Sequence, residues 1–226
     1  MKKSYSILIG VMVINLIVMT VLFLRLPDTV PTNMGFDNTV QAMGSKYTFL
    51  MLPVIALAVP LFILGYRRIS KTGATTANPK YDAVILYATS ALLIIMCCFT
   101  YLIASSGAQL GDKINISVDL IFGVPFGIFC MIFGNFSARI KHNFYLGIRT
   151  PWTLMDPVIW SKTHRLGGYL AFAGGAVMVI FSIVGYLTSN SVYTFSGLMA
   201  CVLLMALVPS IYSFILYVKM QRSKNS

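Results

Sequence analysis

Six apolar runs recur along this chain, at about 5–24, 47–65, 81–104, 116–135, 168–187 and 193–218. Each is close to the ~20 residues a helix needs to cross a hydrocarbon core. In lipid no water is available to satisfy a backbone amide or carbonyl, so the spanning element must close its own hydrogen bonds. The runs do not alternate polar with apolar residues, which excludes a barrel. Only 10% of the residues are charged, where a soluble domain carries roughly a quarter. The expected fold is therefore all-α and integral to a membrane, with six transmembrane helices. The first run follows Met1-Lys2-Lys3, but it is too long for a signal-peptide core and no small-x-small site precedes Arg25. It is read as a retained span.

The net charge of +11 is explained by its placement. With the N-terminus inside, alternation puts fourteen basic residues on one side: Lys2, Lys3, Arg67, Arg68, Lys71, Lys80, Arg139, Lys141, Arg149, Lys162, Arg165, Lys219, Arg222 and Lys224. Only Arg25, Lys46 and Lys113 fall on the other. Such asymmetry follows the positive-inside rule and predicts both termini in the cytoplasm. The charge thus reads as topology and attraction to the lipid bilayer, with no direct nucleic-acid partner. The four cysteines, Cys97, Cys98, Cys130 and Cys201, all lie in apolar runs. They read as small membrane residues rather than a redox or metal set.

Three connections carry composition of their own. The first outer loop, "RLPDTVPTNMGFDNTVQAMGSK", is punctuated by Pro27, Pro31, Gly35 and Gly44 before Lys46. Proline fixes φ and restricts its predecessor, so this loop is expected to be ordered and extended. It offers Asn33 and Lys46 to the outside as a receptor or shielding face. The basic stretch "YRRISKTGATTANPK" reads as a plain inner linker. The outer loops at 105–115 and 188–192 are small and polar. The division expected is a two-span unit over 1–80, with its Pro-rich outer loop and basic linker, and a four-span unit over 81–226.

The second unit holds the longest inner loop, about 136–167, and with it "GIRTPWTLMDPVIWSKTHRLGG" from Gly147 to Gly168. Thr150-Pro151 and Asp156-Pro157 each set a capping oxygen before a proline at the first helical position. "DPVIWSKTHRL" is therefore expected to form a short amphipathic helix, lying at the interface before the fifth span or running into it. Trp160 and His164 share a face at a spacing of four. Beyond them Gly167, Ala171 and Gly175 repeat every four residues, a packing seam for another helix. Pro53, Pro60, Pro125 and Pro209 are expected to kink their helices.

These residues carry a resemblance. "NFYLGIRTPWTL" followed by "W..THRLGG" resembles the signature of the SdpI family of bacterial membrane proteins, and "LPDTVPTNMG…MGSKYTFLMLP" resembles the small domain that often precedes it. The resemblance covers about residues 26–53 and 143–168. It implies a multi-pass protein of the bacterial cell membrane that gives immunity to a secreted, membrane-active peptide toxin. It also implies signalling in which a winged-helix repressor is held at the membrane. Its signature positions here are Gly147, Arg149, Thr150, Pro151, Trp152, Trp160, Thr163, His164, Arg165, Gly167 and Gly168. This sequence departs from the family pattern at Asn33 and Met34, where a histidine and an aromatic residue are common. It departs again in "MDPVIW", which keeps only Asp156 of the acids often found there.

Chemistry outside the resemblance is sparse. With two histidines and six acids no metal motif, phosphate-binding loop or nucleophile elbow is formed. Ser161, His164 and Asp156 are a weak triad, so the chain reads as neither an enzyme nor a cofactor binder. His164 beside Trp160 has two readings, a pH switch or a ring hydrogen-bonded to loop backbone; the second is favoured. Arg149, between Gly147 and Pro151, has a fixed fork of donors for a lipid phosphate or an acidic partner. Asp119, about one turn into the fourth span, is an intramembrane acid and a functional candidate by default. A small multispan transporter is the alternative, which paired intramembrane charges or inverted repeats would favour. The oligomeric state is not legible.

Overall fold

The computed structural model describes residues 2–69, 79–114, 117–142 and 147–224. Lys71 of the basic linker and Asn143–Leu146 at the head of the signature lie outside the described residues. The order is α1 (Lys2–Phe23), a hairpin of β1 (Thr29–Met34) and β2 (Val40–Ser45), α2 (Met51–Ile69), α3 (Pro79–Ala104), α4 (Val124–Ser137), α5 (Pro151–Met155), α6 (Pro157–Thr188), α7 (Val192–Val202) and α8 (Val208–Lys224). Six stretches are long and apolar enough to cross a membrane: Tyr5–Phe23, Lys46–Gly65, Ala83–Ala104, Asp119–Ser137, Pro157–Thr188 and Val192–Arg222. They coincide with the six runs. Large apolar side chains stay exposed on their outer surfaces, among them Ile14, Phe62, Ile180 and Leu187, as lipid-facing residues should.

Two wide π turns sit where proline interrupts a span. Asp119–Gly123 precedes Pro125, and Leu203–Leu207 precedes Pro209 and joins α7 to α8. A proline cannot donate to the carbonyl four residues back, and its ring crowds that carbonyl. A widened turn relieves both. Pro60 lies inside α2.

Met19, Phe23, Val30, Phe49, Ala56 and Cys97 form a core shared by α1, the hairpin, α2 and α3. The other half is organised around α6. Its small residues meet α4 backbone to backbone. A Cβ on Gly134 would lie 2.5 Å from the Phe172 nitrogen, and one on Gly175 would lie 2.5 Å from the Gly127 carbonyl oxygen. The seam expected at Gly167, Gly168, Ala171 and Gly175 is thus an intramolecular one, in which Gly168 and Gly175 face α4. Gly167 instead faces Ile148 and Pro209. On another side of α6, Met178 packs with Cys130 of α4 and Cys201 of α7.

One sequence expectation needs correcting and another gains detail. The segment from Asp156 to Leu166 is no separate interfacial helix. Of the two arrangements expected, the continuous one occurs, and Pro157–Thr188 is a single helix of 32 residues. The Gly167-Gly168 pair does not break it, because both glycines are buried in packing contacts. The separate short helix is α5, one turn earlier. The loop at 25–46, expected to be ordered and extended, is an antiparallel hairpin with irregular register beside Asn33.

Candidate functional site

The signature folds into a knot at one end of α6. Both predicted caps form. Thr150 caps α5 in a reciprocal box: the Thr153 amide donates to Thr150 Oγ1 (3.3 Å) and the Thr150 amide to Thr153 Oγ1 (2.9 Å). Asp156 Oδ1 accepts from the amides of Val158 (2.6 Å) and Ile159 (3.1 Å), with Pro157 at the first helical position. These acceptors satisfy amides that a helix start leaves unpaired.

Ile159, Trp160, Thr163 and His164 are buried along one face of α6, while Lys162 and Arg165 stay exposed. The Trp160 indole donates to the Ile140 carbonyl (2.9 Å) and stacks on His164 with ring centroids 4.0 Å apart. His142 meets the same indole edge-on at 4.9 Å. The His164 ring is fully buried, with Nε2 3.0 Å from the Ile148 amide and Nδ1 2.9 Å from the Trp160 carbonyl. Nε2 must accept from an N–H, so Nδ1 holds the proton and donates. Both nitrogens are committed to backbone in the neutral ring. This is the backbone-bonded reading; protonating Nε2 would break the Ile148 bond. Gly147 makes the arrangement possible: its φ is +112°, and a Cβ there would lie 2.2 Å from His164 Nε2.

The loop is fastened to α8 as well. Thr150 Oγ1 lies 3.1 Å from Ser213 Oγ, which the Trp152 indole also approaches as donor. The Trp152 ring lies against Phe214 and Tyr217. The structure buries Trp160 and His164 in protein and half-buries Trp152. Pro151, Arg149 and Arg165 are exposed; Thr163 is buried, and its hydroxyl has no partner among the described residues.

At the other end of α6 the hairpin and the two loops expected beside it on the outer face converge. The Val40 amide donates to the Asp112 carbonyl (2.9 Å), the Gly111 amide to Val40 (2.9 Å) and the Ile114 amide to Asn38 (2.9 Å). The Ser191 amide donates to Phe36 (3.0 Å), and the Phe36 ring meets Phe195 edge-on. The loops at 105–115 and 188–192, uninformative in sequence, are the struts of the hairpin. Within the hairpin Pro31 is buried, Pro27 and Asn33 are exposed, and Gly44 faces the Thr32 side chain.

Beneath this cap Asp119 is buried, with Oδ1 accepting from Thr194 (2.6 Å) and Oδ2 from Ser191 (3.1 Å). A Cβ on Gly185 would lie 3.1 Å from Oδ1, so glycine there leaves the carboxylate its place. A cavity of about 450 Å³ opens beside it, lined by Asn38, Lys113, Ile114, Ser117, Asp119, Tyr186 and Ser189. Neither Ser191 and Thr194 nor Asn38 and Lys113 was singled out in the sequence, since each lies far from Asp119 along the chain or in a plain polar loop. No group of metal-ligating side chains occurs among the described residues.

Two outer carboxylates titrate below the usual range. Asp28 is lowered by its hydrogen bond and ion pair with Lys46 (2.8 Å). Asp37 is lowered by the Thr39 hydroxyl and amide, and slightly by Lys113. Lowered folded values mean these contacts help hold the hairpin above the ordinary carboxylate pKa of about 4. The help is lost as pH falls through the depressed values. Both groups are solvent-exposed, so the effect is small. Amide protection factors in Thr29–Ser45, taken relative to the intrinsic exchange rate at each pH, are expected to fall modestly between pH 5 and about pH 2, and less so in an Asp28→Asn, Asp37→Asn variant. An equal fall in the two proteins would contradict this assignment.

Six helices of spanning length, with a knot at one end and a cap at the other, make this a multi-pass membrane protein. Residues 139–213 match the model of the SdpI/YfhL protein family, and residues 10–57 match a domain of unknown function, DUF1648. The first match covers the stretch whose signature carried the resemblance to the SdpI family. It is similar over 99% of its length to the whole of Immunity protein SdpI of Bacillus subtilis (strain 168), with 24% identity. No solved structure matches it.

Proposed function

We propose that this protein is a membrane immunity protein that protects its cell from a secreted, membrane-active peptide toxin. The observation that carries the reading is the similarity to an immunity protein across the full length of both chains. The outer cap supports it too, since a peptide arriving from outside meets an ordered surface over a cavity. Protection proceeds without cleaving the peptide, and no residue is assigned a catalytic role. We further propose signalling through the inner face by holding a winged-helix repressor. Arg149 and Arg165, exposed beside the knot, supply charge for such a contact. The division at residue 80 goes with this reading, with the hairpin unit receiving and the signature unit reporting.

The test expresses the chain in a toxin-sensitive host and challenges it with peptides encoded beside its gene. Survival with intact peptide is expected, and Arg149→Ala is expected to accumulate normally while weakening protection or signalling. Unchanged killing by every such peptide would refute the reading, and survival with cleaved peptide would make the protein an enzyme.

The reading also requires the hairpin outside and the knot inside, which the fourteen-to-three split of basic residues supports. In a cysteine-free background, single cysteines at Asn33, Ala74 and Lys162 are expected to differ towards an impermeant thiol reagent on intact cells. Only the first should react; labelling at Lys162 would invert the topology.

A further inference from the structure

Asp119 is a buried carboxylate at the outer end of a span, and no cation lies within ion-pair distance of it among the described residues. Its two hydroxyl partners are neutral. A carboxylate shielded from water and opposed by no positive charge is costly unless something cationic reaches it. The cavity beside it gives access. Its lining holds a second acceptor: Asn38 Oδ1 is buried and has no hydrogen-bond partner among the described residues. Asn38 is also held in the left-handed region at φ 62°, with its carbonyl engaged by the Ile114 amide. Ser117, whose hydroxyl accepts from the Leu120 amide (3.2 Å), and Ser189 also line it. At about 450 Å³ the space is far larger than a bare ion requires and falls in the range of pockets for organic groups. One carboxylate, one orphan amide oxygen and hydroxyls match a group with several N–H donors and a single positive charge. A primary ammonium, with three donors and no acceptor, is that group.

We propose that the outer cavity beside Asp119 binds a primary ammonium group of the incoming peptide, either a lysine side chain or the amino terminus. The peptide as ligand rests on the immunity reading; the ammonium chemistry rests on the cavity. Lys113 lines the same cavity and opposes a cation there, which gives the proposal a sign to be tested.

The experiment uses the full chain in nanodiscs and small probes instead of a toxin, so its outcome is independent of whether any peptide kills. Binding of Nα-acetyl-lysine amide and of glycylglycine amide is compared by saturation-transfer NMR with that of their amine-acetylated counterparts. At least one free amine is expected to bind ten-fold or more tightly than its acetylated form, and the stronger probe identifies side chain or terminus. Asp119→Asn should lose that preference, and Lys113→Ala should bind the amine severalfold more tightly. Equal binding of the acetylated probes, or an unchanged affinity in Asp119→Asn, would overturn the site. If Asp119→Asn does not fold, Lys113→Ala decides alone: tighter binding supports the site, and unchanged or weaker binding overturns it. Amine binding without protection from any peptide would leave the site standing and remove the immunity reading.

Discussion

Gly134→Leu is expected to abolish accumulation of folded, membrane-inserted protein. A Cβ at Gly134 would already lie 2.5 Å from the Phe172 nitrogen and 2.6 Å from the Gly168 carbonyl oxygen. These are backbone atoms of a neighbouring helix, so no rotamer change makes room. Overpacking against movable side chains costs about 1–3 kcal/mol; here α4 and α6 must part along the seam, so the cost should exceed that range. Gly10 is the control, because nothing lies within 4 Å of a Cβ there. Fluorescence-detected size exclusion of detergent extracts should show Gly10→Leu at the parental position and Gly134→Leu aggregated or absent. A monodisperse Gly134→Leu protein of parental thermal stability would show that the two helices do not meet as described.

The second large effect concerns the stacked pair in the knot. Trp160→Ala removes a fully enclosed indole and is expected to cost about 3–5 kcal/mol, as large-to-small core substitutions do. His164→Ala removes the acceptor of the Ile148 amide, which costs about 1–3 kcal/mol for the stranded donor, with a cavity term added. Trp160→Phe keeps most of the ring and loses only the bond to Ile140, so it should fall between Trp160→Ala and the parent. Thermal unfolding in detergent should rank the variants in that order, with Arg149→Ala close to the parent. Because both side chains are buried, protein level and activity should fall together in the two alanine variants. Parental stability in both alanine variants would mean that the rings are not enclosed.

How far the sequence could be read follows from the physics of each signal. Spans announce themselves because lipid demands about twenty consecutive apolar residues, and all six were placed. The caps at Thr150 and Asp156 were legible because capping is a local bond within three residues. The α4 seam was half legible: the four-residue repeat of Gly167, Ala171 and Gly175 marked α6, whereas on α4 Met131 stands between Gly127 and Gly134 and leaves no four-residue repeat of small residues between them. The hairpin was missed although Gly35 and Asp37-Asn38 separate two short runs with β-branched residues, a turn signal. Pro27 and Pro31 argued for extended backbone without pairing, yet Pro31 is tolerated in a two-stranded edge position. The Asp119 cluster was least legible. Its partners Ser191 and Thr194 are more than seventy residues away, and hydroxyl residues in a small loop carry no pattern. For His164 the sequence set out both roles, and only the fold shows which backbone groups its nitrogens meet.

The unbroken course of α6 gives the protein a phase. His164, in the inner knot, and Gly185, against Asp119 in the outer cap, are rungs on one ladder of 32 residues, about 48 Å long. Twenty-one steps separate them, which at 3.6 residues per turn leaves them about one-sixth of a turn apart. With no break in the helix, that angle is fixed by residue count alone. Adding or deleting one residue between them would swing one end by about 100° relative to the other, and only one of the two sites could then be seated. The span can change its side chains freely on the lipid side, but its length between these two positions is as constrained as the residues themselves.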